Sequence, residues 1–373
     1  MDRSNPEAHL YVLPWIQQKE TIAFGSVQVS PAAQCLDDAD PRTDAARKVL
    51  ACYRGLSDVP VSASLMWVPP RCALDLEEAD LDSLVLHRMC LSAGLIMSND
   101  YYNNAGFVST NGSHCMGYFH RSRADAEHVS IYKRRREGRN LDGWPLSKLS
   151  MKVPLAASPA HLLVADQSLL DALVATVSSG SDLGRTLERA LPPFLQGNHL
   201  SEQTTPLDDL VWMGAAFERL LGVTNDVGRT LSVQVAELFS GASEVATEWA
   251  HISRNGNPQP ESGPWRQRWM REFYDRRSVV HSGEGAPGTW DDTVHCVIAA
   301  EVFSLAVMML LDVEGIRSLK REDRARIDAI DRRIEALAVV EAGVVGAWSQ
   351  PLAEARERVR VADIAAALAA TEI

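Results

Sequence analysis

Features that would assign the chain to a membrane or to the secretory pathway are missing from the sequence. No stretch of about eighteen uninterrupted apolar residues is present, and a helix needs roughly that length to span a bilayer. The most apolar segment, residues 294–311, contains His295, Glu301 and Ser304, so we expect it to be a packed central helix. The first residues lack the basic start and apolar core of a signal peptide. The six cysteines form no CxxC pair, which is typical of reduced thiols. We therefore expect a soluble, cytoplasmic, globular protein.

An excess of basic charge is also missing. The chain has 37 lysines and arginines against 49 aspartates and glutamates, a formal net charge of −12. This balance argues against a surface coated with basic residues for nucleic acid. It leaves room for a local basic groove, because binding depends on where the charge is placed. With 373 residues the chain is long enough for two domains, each with its own core.

The histidines and cysteines do not have the spacing of a metal site. His114 and Cys115 are adjacent, with His120 and His128 nearby. Zinc sites usually combine two closely spaced ligand pairs, and no second pair is present elsewhere. We therefore expect no metal and no cofactor.

The densest basic run of the chain is Tyr132-Lys133-Arg134-Arg135-Arg136-Glu137-Gly138-Arg139. One interpretation is an exposed loop or linker, since runs of like charge are usually solvated. The other is a substrate-binding patch, in which the cations of Lys133, Arg134, Arg135 and Arg136 contact phosphates of a nucleic acid. The sequence leaves both interpretations open.

The first 150 residues have the pattern of an α+β domain. Apolar, β-branched and aromatic runs punctuated by glycine and proline predict strands within residues 9–30 and 61–68. A short helix is predicted over residues 44–53 and a longer one over residues 75–93. Short strands and loops are predicted in residues 94–132. A sensor or regulatory role is the hypothesis for this domain.

Residues 151–373 have the pattern of an all-α domain. Helices are predicted over residues 162–177 and 183–191, the second ending at a pair of prolines. Five more form the presumed core, over residues 208–222, 230–239, 244–253, 264–281 and 291–312. A loop is predicted over residues 254–263. The C-terminal helices of residues 320–370 comprise residues 321–340, with Ile327, Ile330, Ile334 and Leu337 at helical spacing, and residues 352–370.

The most informative stretch is the helix predicted at residues 264–281. Trp265, Trp269 and Phe273 fall on one stripe of the helix, which should face a core. Arg276 falls on the same stripe, where a cation is costly unless it is paired. His281 follows five residues later, about 140° around the helix. The two side chains therefore converge only if the helix ends between them or if two copies of the helix face each other.

This stretch resembles the signature of HEPN ribonucleases, in which Arg-x4-His stands near the end of an amphipathic helix. The phrase Phe-x-x-Arg-x-Ser-Val-Val-His-x-Gly, residues 273–283, is similar to that of the Apea-like HEPN group. Residues 210–222 resemble the family's earlier helix, where a glutamate precedes a leucine pair. The resemblance covers about residues 205–313. Arg277 is a departure, because the family usually has Asn, Asp or His directly after the motif arginine.

The resemblance implies a HEPN helical bundle and metal-independent cleavage of RNA. It implies that His281 is the general acid or base and that Arg276 binds the charge that develops on the phosphate. Arg277, Ser278 and Glu218 are candidate supporting residues. We expect Glu218 to pair with Arg276 and to hold it in place.

The resemblance also implies partners and a biological setting. The family works as a homodimer with paired motifs that line a shared cleft at the dimer interface. Its substrate is RNA, and its members act in antiviral defence through abortive infection or as toxins in the cytoplasm. A phage-derived trigger or a neutralising partner would belong to that setting, and its identity is unknown.

Other interpretations of the same residues remain. His281 suits a cation near a helix C-terminus, where the helix dipole favours it. Arg276 suits a structural arginine paired with a carboxylate, and Arg277 a solvated surface charge. The alternative functions are a catalytically silent HEPN module that binds RNA or scaffolds a partner, and a regulatory protein whose helical half only dimerises.

Overall fold

The computed structural model divides the chain into two compact units, Met1–Ala175 and Thr176–Ile373. The division falls inside a helix, 25 residues after the boundary at residue 150 that the sequence suggested. The residues that the structure describes are 8–13, 20–31, 50–54, 64–67, 78–98, 116–120, 128–135, 138–145, 151–152, 165–198, 204–252, 257–282 and 292–342.

The first unit contains an antiparallel sheet of seven strands. Its order is β2-β3-β5-β1-β6-β7-β8, and every neighbouring pair is antiparallel. Two short strands, β4 and β9, pair in parallel. The strands are β1 Ala8–Leu13, β2 Ile22–Phe24, β3 Val27–Pro31, β4 Tyr53–Arg54, β5 Ser64–Trp67, β6 Met116–His120, β7 His128–Arg135, β8 Gly138–Pro145 and β9 Met151–Lys152.

Helix α1, Glu78–Met97, carries a buried histidine that holds the turn between β2 and β3. His87 is 4% exposed, and its Nε2 accepts a hydrogen bond of 3.1 Å from the backbone N–H of Ser26. The adjacent Gly25 has φ +54°, and a Cβ there would lie 2.3 Å from Nε2 of His87. The turn therefore requires glycine both for its backbone conformation and for its close approach to the helix.

Helix α2, Gln167–Ser178, begins in the first unit. Leu170 packs so closely on Gly94 of α1 that a Cβ on the glycine would lie 2.5 Å from Cδ2 of the leucine. This packing explains why the start of α2, which the sequence assigned to the second domain, belongs to the first unit.

The second unit is mainly helical, with one β-hairpin. After the end of α2 come α3 Asp182–Gln196, α4 Pro206–Leu221, α5 Val227–Leu238, β10 Ala246–Ile252, β11 Pro258–Pro264, α6 Trp265–Ser282, α7 Asp292–Val313, α8 Arg321–Asp328 and α9 Ile330–Ala342. The strands near the N-terminus and the helices after them confirm the coarse prediction of an α+β part followed by a helical part.

An aromatic cluster joins four of these helices. Phe194 of α3 stacks on Phe303 of α7 with ring centroids 4.4 Å apart. Phe217 of α4 meets Phe303 edge-on at 5.5 Å and Phe273 of α6 at 6.2 Å. All four rings are fully buried. Ring pairs at these separations stabilise the fold beyond the contribution of buried apolar area. They therefore hold the middle of α6 against the core.

The hairpin β10–β11 corrects two sequence predictions, a helix at residues 244–253 and a loop at residues 254–263. Along β10 exposure alternates, with Trp249 buried between the exposed Glu248 and Ala250. This period of two is typical of a strand with one buried face. Three prolines of β11 are tolerated because each strand of a two-stranded sheet has a free edge.

Two further predictions on helices are corrected. The helix predicted over residues 183–191 continues as α3 through Pro192 and Pro193 to Gln196. It continues because Phe194, directly after the prolines, packs in the core. The predicted helix at residues 321–340 is two helices, α8 and α9, yet its four apolar positions are buried as expected.

Some predicted elements lie largely or wholly outside the described residues. They are the short helix at residues 44–53, whose last residue begins β4, and the C-terminal helix at residues 352–370.

Helix α7 is long and apolar enough to cross a membrane by length and composition, at residues Val294–Val313. In this protein 83% of an apolar stretch of 18 residues within that segment is buried inside the fold. Its acidic residue, Glu301, is 5% exposed and pairs with Arg326 and Arg333. The segment is thus a packed core helix, consistent with a soluble protein.

The start of α6 is held by a buried ion pair. Asp331 of α9 accepts a hydrogen bond of 2.8 Å from Nη1 of Arg266, and both side chains are fully buried. The same carboxylate accepts from the backbone N–H groups of Arg266 and Val245, each at 3.0 Å. Three donors compensate the buried charge, so the pair ties α9 to the first turn of α6.

Removal of this carboxylate should destabilise the protein strongly. We expect Asp331→Ala to lower the free energy of unfolding by about 3–5 kcal/mol, because the buried Arg266 would keep only its longer, 3.4 Å contact to the exposed Glu244. Urea denaturation would measure it. The matched control is Glu272→Gln, which removes the acid of the partly exposed Arg268–Glu272 pair and should cost less than about 1 kcal/mol. An equal, small loss in both variants would contradict the prediction.

The first turn of α4 contains two adjacent acids in different environments. Asp208 forms a capping box with Thr205, and these hydrogen bonds lower the pKa of Asp208. Burial, with repulsion from Asp208, raises the pKa of Asp209 to about 7. One oxygen of Asp209 is buried without a hydrogen-bond partner among the described residues. Folding therefore favours the protonated form of Asp209.

Because of Asp209, the free energy of unfolding should fall as the pH rises from about 4 to about 7. In that window the unfolded chain, whose aspartate titrates near 4, releases the proton and the folded chain keeps it. Asp209→Asn should therefore stabilise the protein by about 1–3 kcal/mol at pH 8 and by little at pH 4. Denaturation at both pH values tests this, with the exposed Asp182→Asn as control. A gain of equal size at both pH values would contradict the assignment.

Candidate functional site

The candidate site lies on the second half of α6, which the sequence predicted as a helix within one residue of its observed bounds. Its buried face differs in part from the predicted stripe. Trp269 and Phe273 are buried as expected, and Arg266 and Met270 are buried beside them, whereas Trp265 is half-buried. This face orients α6 and so fixes the directions of the arginines that follow.

Trp269 connects α6 to α7. Its indole N–H donates a hydrogen bond of 3.0 Å to Nδ1 of His295, which is 4% exposed. His295 is therefore a core histidine. The bond satisfies two polar groups that would otherwise be costly to bury.

Arg276 is held by Asp292 in the first turn of α7. Its Nε donates to Oδ1 at 2.8 Å and its Nη2 donates to Oδ2 at 2.9 Å. The side chains are 21% and 11% exposed. The hydrogen bonds to Asp292 raise the pKa of Arg276, although burial opposes the rise. A bidentate pair fixes both the position and the plane of the guanidinium.

The expected pairing of Glu218 with Arg276 is wrong. Glu218 of α4 pairs with Arg277, whose Nη1 lies 2.8 Å from Oε1. Consecutive residues point about 100° apart around a helix, so Arg276 reaches α7 while Arg277 reaches α4. The interpretation of Arg276 as an arginine paired with a carboxylate describes its contact correctly.

Tyr274 completes a cluster with Arg277 and Glu218. The phenol donates to Oε1 of Glu218 at 3.1 Å and accepts from Nη1 of Arg277 at 2.7 Å. The Arg277 guanidinium carbon lies 4.9 Å from the centre of the Tyr274 ring. Burial raises the pKa of Tyr274; the Glu218 carboxylate adds to the rise and Arg277 opposes it. The phenol therefore stays protonated at neutral pH and can donate.

Arg277 is not a solvated surface charge, since its side chain is 16% exposed. It passes against Gly214 of α4, where a Cβ would lie 3.1 Å from both Cδ and Nε of Arg277. Glycine at this position leaves the space that the arginine fills.

Ser278 has a local role in the structure. It is exposed, and its hydroxyl donates to the carbonyl of Tyr274, one turn earlier, at 3.0 Å. This bond is a common one for a serine within a helix.

His281 lies in the last turn of α6, and the helix is continuous through Ser282. Its side chain is outside the described atoms. Helical geometry puts the position of His281 about 40° from Arg277 and about 140° from Arg276. Of the two ways in which Arg276 and His281 could converge, an end of the helix between them is ruled out by this continuity. The facing of two helix copies remains.

The basic run near residue 135 belongs to the sheet of the first unit. Lys133, Arg134 and Arg135 lie on β7, and Arg136 is outside the described residues. In the register of the hairpin Arg134 is opposite Arg139 of β8. The interpretation as a loop or linker is therefore wrong for residues 132–135, because hydrogen bonding to β8 makes them a strand. A role in phosphate binding stays a prediction.

The described residues contain no group of three potential metal ligands. Of the residues considered at first, His120 ends β6 and His128 begins β7. His114 and Cys115 lie outside the described residues. Cys52, Cys90 and Cys296 form no disulfide among the described residues.

A cavity of about 490 Å³ lies among α5, α7 and α8. Arg276 is not among the described residues that line it. Its lining is largely apolar and consists of Phe239, Gly241, Ala242, Met309, Leu319, Arg324, Ala325, Ile327 and Asp328.

Three residues of the site were missed by the sequence analysis, namely Asp292, Tyr274 and Gly214. The sequence contains one indication for Asp292, because an acid at the start of a predicted helix is favourable at a helix N-terminus. That indication gives no reason to connect it with Arg276.

Comparisons with protein-family models, with curated proteins and with solved structures found no match.

The pair Arg276–Asp292 should be measurable as a coupling free energy. A double-mutant cycle of Arg276→Ala and Asp292→Ala in urea denaturation should give about 1–2 kcal/mol, as expected of a charge-assisted bidentate bond that is partly shielded from water. The same cycle for Arg268 and Glu272 is the control and should give less than about 0.5 kcal/mol. A coupling at Arg276–Asp292 no larger than the control value would contradict the geometry.

Proposed function

We propose that this protein is a metal-independent endoribonuclease of the HEPN type, with Arg276 and His281 as its catalytic residues. Two observations support the proposal. One is the resemblance of residues 273–283 to the Apea-like HEPN signature. The other, which carries the proposal furthest, is the orientation of Arg276 by Asp292.

The orientation matters because an arginine has two pairs of donors. Asp292 takes the side-on pair, Nε and Nη2. The end-on pair, Nη1 with the second N–H of Nη2, points away from that carboxylate. Nη1 makes no hydrogen bond among the described residues, and the side chain is 21% exposed. An arginine held in this way can bind two non-bridging phosphate oxygens without first being ordered, which stabilises charge as it develops.

The chemistry assigned to His281 is proton transfer. In the proposed reaction the 2′-hydroxyl loses a proton and its oxygen attacks the adjacent phosphorus. The bond from phosphorus to the 5′-oxygen breaks, and that oxygen gains a proton. The products are a 2′,3′-cyclic phosphate and a 5′-hydroxyl. A histidine titrates near neutral pH and can serve either transfer, worth about 10²–10⁴-fold in rate.

A homodimer is part of the proposal. On one continuous helix Arg276 and His281 diverge by about 140°. Two copies of α6 that face each other would bring the arginine of one copy toward the histidine of the other. RNA would then lie in a cleft between the two copies.

The proposed setting is antiviral defence through abortive infection, or toxin activity. In either setting an uncontrolled ribonuclease harms its own cell. The first unit, Met1–Ala175, is then proposed to sense a trigger or to restrain the activity.

The second candidate is a catalytically silent HEPN module that binds RNA or scaffolds a partner. It is favoured by one observation, that Arg276 and Arg277 are each paired with an acid. Each pair reduces the positive charge available to stabilise a transition state.

The test is cleavage of a mixed RNA pool by the purified protein in EDTA. The wild type should cut, and His281→Ala should reduce the rate at least about 100-fold, because it removes the proton-transfer group. Arg276→Ala should reduce it by a similar factor, since it removes one preorganised donor group.

The matched control is Arg268→Ala, an arginine of the same helix that pairs with Glu272 and lies over the ring of Trp265. It should cleave at the wild-type rate. RNA that is bound by wild type and His281→Ala alike, and cut by neither, would support the silent module and contradict the ribonuclease.

A further inference from the structure

The polar cluster of Glu218, Tyr274 and Arg277 is placed where it can control the end of α6. Tyr274, Arg277 and His281 stand at positions i, i+3 and i+7, so they share one side of the helix. Glu218 reaches this side from α4 and contacts the first two. The cluster thus ends one turn before His281.

The cluster fixes Arg277 closely. Its Nη1 is shared by the Glu218 carboxylate and the Tyr274 oxygen, and its guanidinium lies against the Tyr274 ring. Its Nε is buried and has no hydrogen-bond partner among the described residues. The stem of the side chain fills the space beside Gly214. A side chain held on three sides has little freedom to change rotamer.

Arg276 and Arg277 together define the rotation of α6 about its axis. They are neighbours in sequence and point about 100° apart. Asp292 of α7 holds the first and Glu218 of α4 holds the second. Any rotation of this part of α6 would lengthen one of the two ion pairs. The two ion pairs therefore also fix the orientation of the last turn of α6, which carries His281.

We propose that Arg277 is a positioning residue for His281, and that Glu218 and Tyr274 act through it. The arginine that departs from the HEPN pattern is thus part of the site, because it orients the turn on which the proposed acid or base stands. This inference rests on the proposed ribonuclease function for its catalytic meaning.

Two variants disturb the cluster in different ways. Glu218→Gln removes the charge that holds Arg277. Gly214→Ala leaves every charge in place and pushes the arginine by a few tenths of an ångström, since the added Cβ would lie 3.1 Å from it. Alanine is favoured over glycine within a helix, so α4 should still form.

The expected result is a kcat lower by roughly ten- to a hundredfold in both variants, with KM nearly unchanged, because a misplaced catalytic group lowers the rate of the chemical step. The matched controls should keep the wild-type kcat. They are Gly241→Ala, where an added Cβ meets nothing within 4 Å, and Glu272→Gln, which removes another acid paired with an arginine of α6.

The position of His281 is measured separately by NMR of the histidine ring, with the signals assigned from their loss in His281→Ala. We expect the His281 signals to shift in Glu218→Gln and Gly214→Ala and to stay in place in both controls. This readout does not require RNA cleavage. If the wild type cuts no RNA, the proposed function fails and the NMR comparison still decides the positioning.

The inference is overturned if the wild type cleaves RNA while both cluster variants cleave equally well with unmoved His281 signals. It is also overturned if the rate falls only in proportion to the fraction of unfolded protein, since the cluster would then be merely structural.

Discussion

Three arginines of one helix are shielded from water and need carboxylate partners. The arrangement of the second unit depends on these ion pairs. Arg266, Arg276 and Arg277 all lie on α6 and are buried or half-buried. An unpaired cation in such places would cost several kcal/mol. The partners come from three other helices: Asp331 of α9, Asp292 of α7 and Glu218 of α4. The ion pairs therefore help to determine which helices surround α6 and how it is rotated, while the aromatic cluster buries four phenylalanine rings among α3, α4, α6 and α7.

Much of this fold could be predicted from the sequence, because local pattern determines it. Helix α6 begins after Gly263-Pro264 and was predicted within one residue, since capping residues and apolar spacing agree there. The buried positions of α9, among them Ile334 and Leu337, follow from their spacing. The strands at residues 22–31 follow from alternation around a glycine turn.

The predictions that were wrong or incomplete share a physical cause. In each case contacts between distant parts of the chain determine the structure, and local sequence pattern does not. The helix predicted at residues 244–253 is β10, because pairing with β11 and burial of Trp249 outweigh its helical composition. In the site, Arg276 was found as a candidate from its place on an apolar face. Its partner Asp292 was not, because the choice between Asp292 and Glu218 depends on the rotation of α6 in the assembled bundle. Pattern within a single helix contains no information on that rotation.

We propose that RNA is cut through its own 2′-hydroxyl by Arg276 and His281. The most direct test of this proposal compares one RNA with the same RNA carrying a single 2′-deoxy nucleotide at the cleaved position, in EDTA, with analysis of the fragment ends. We predict that the first RNA yields 2′,3′-cyclic phosphate and 5′-hydroxyl ends and that the second is not cut there. Cleavage of the deoxy position, or fragments with 5′-phosphate ends, would contradict the account.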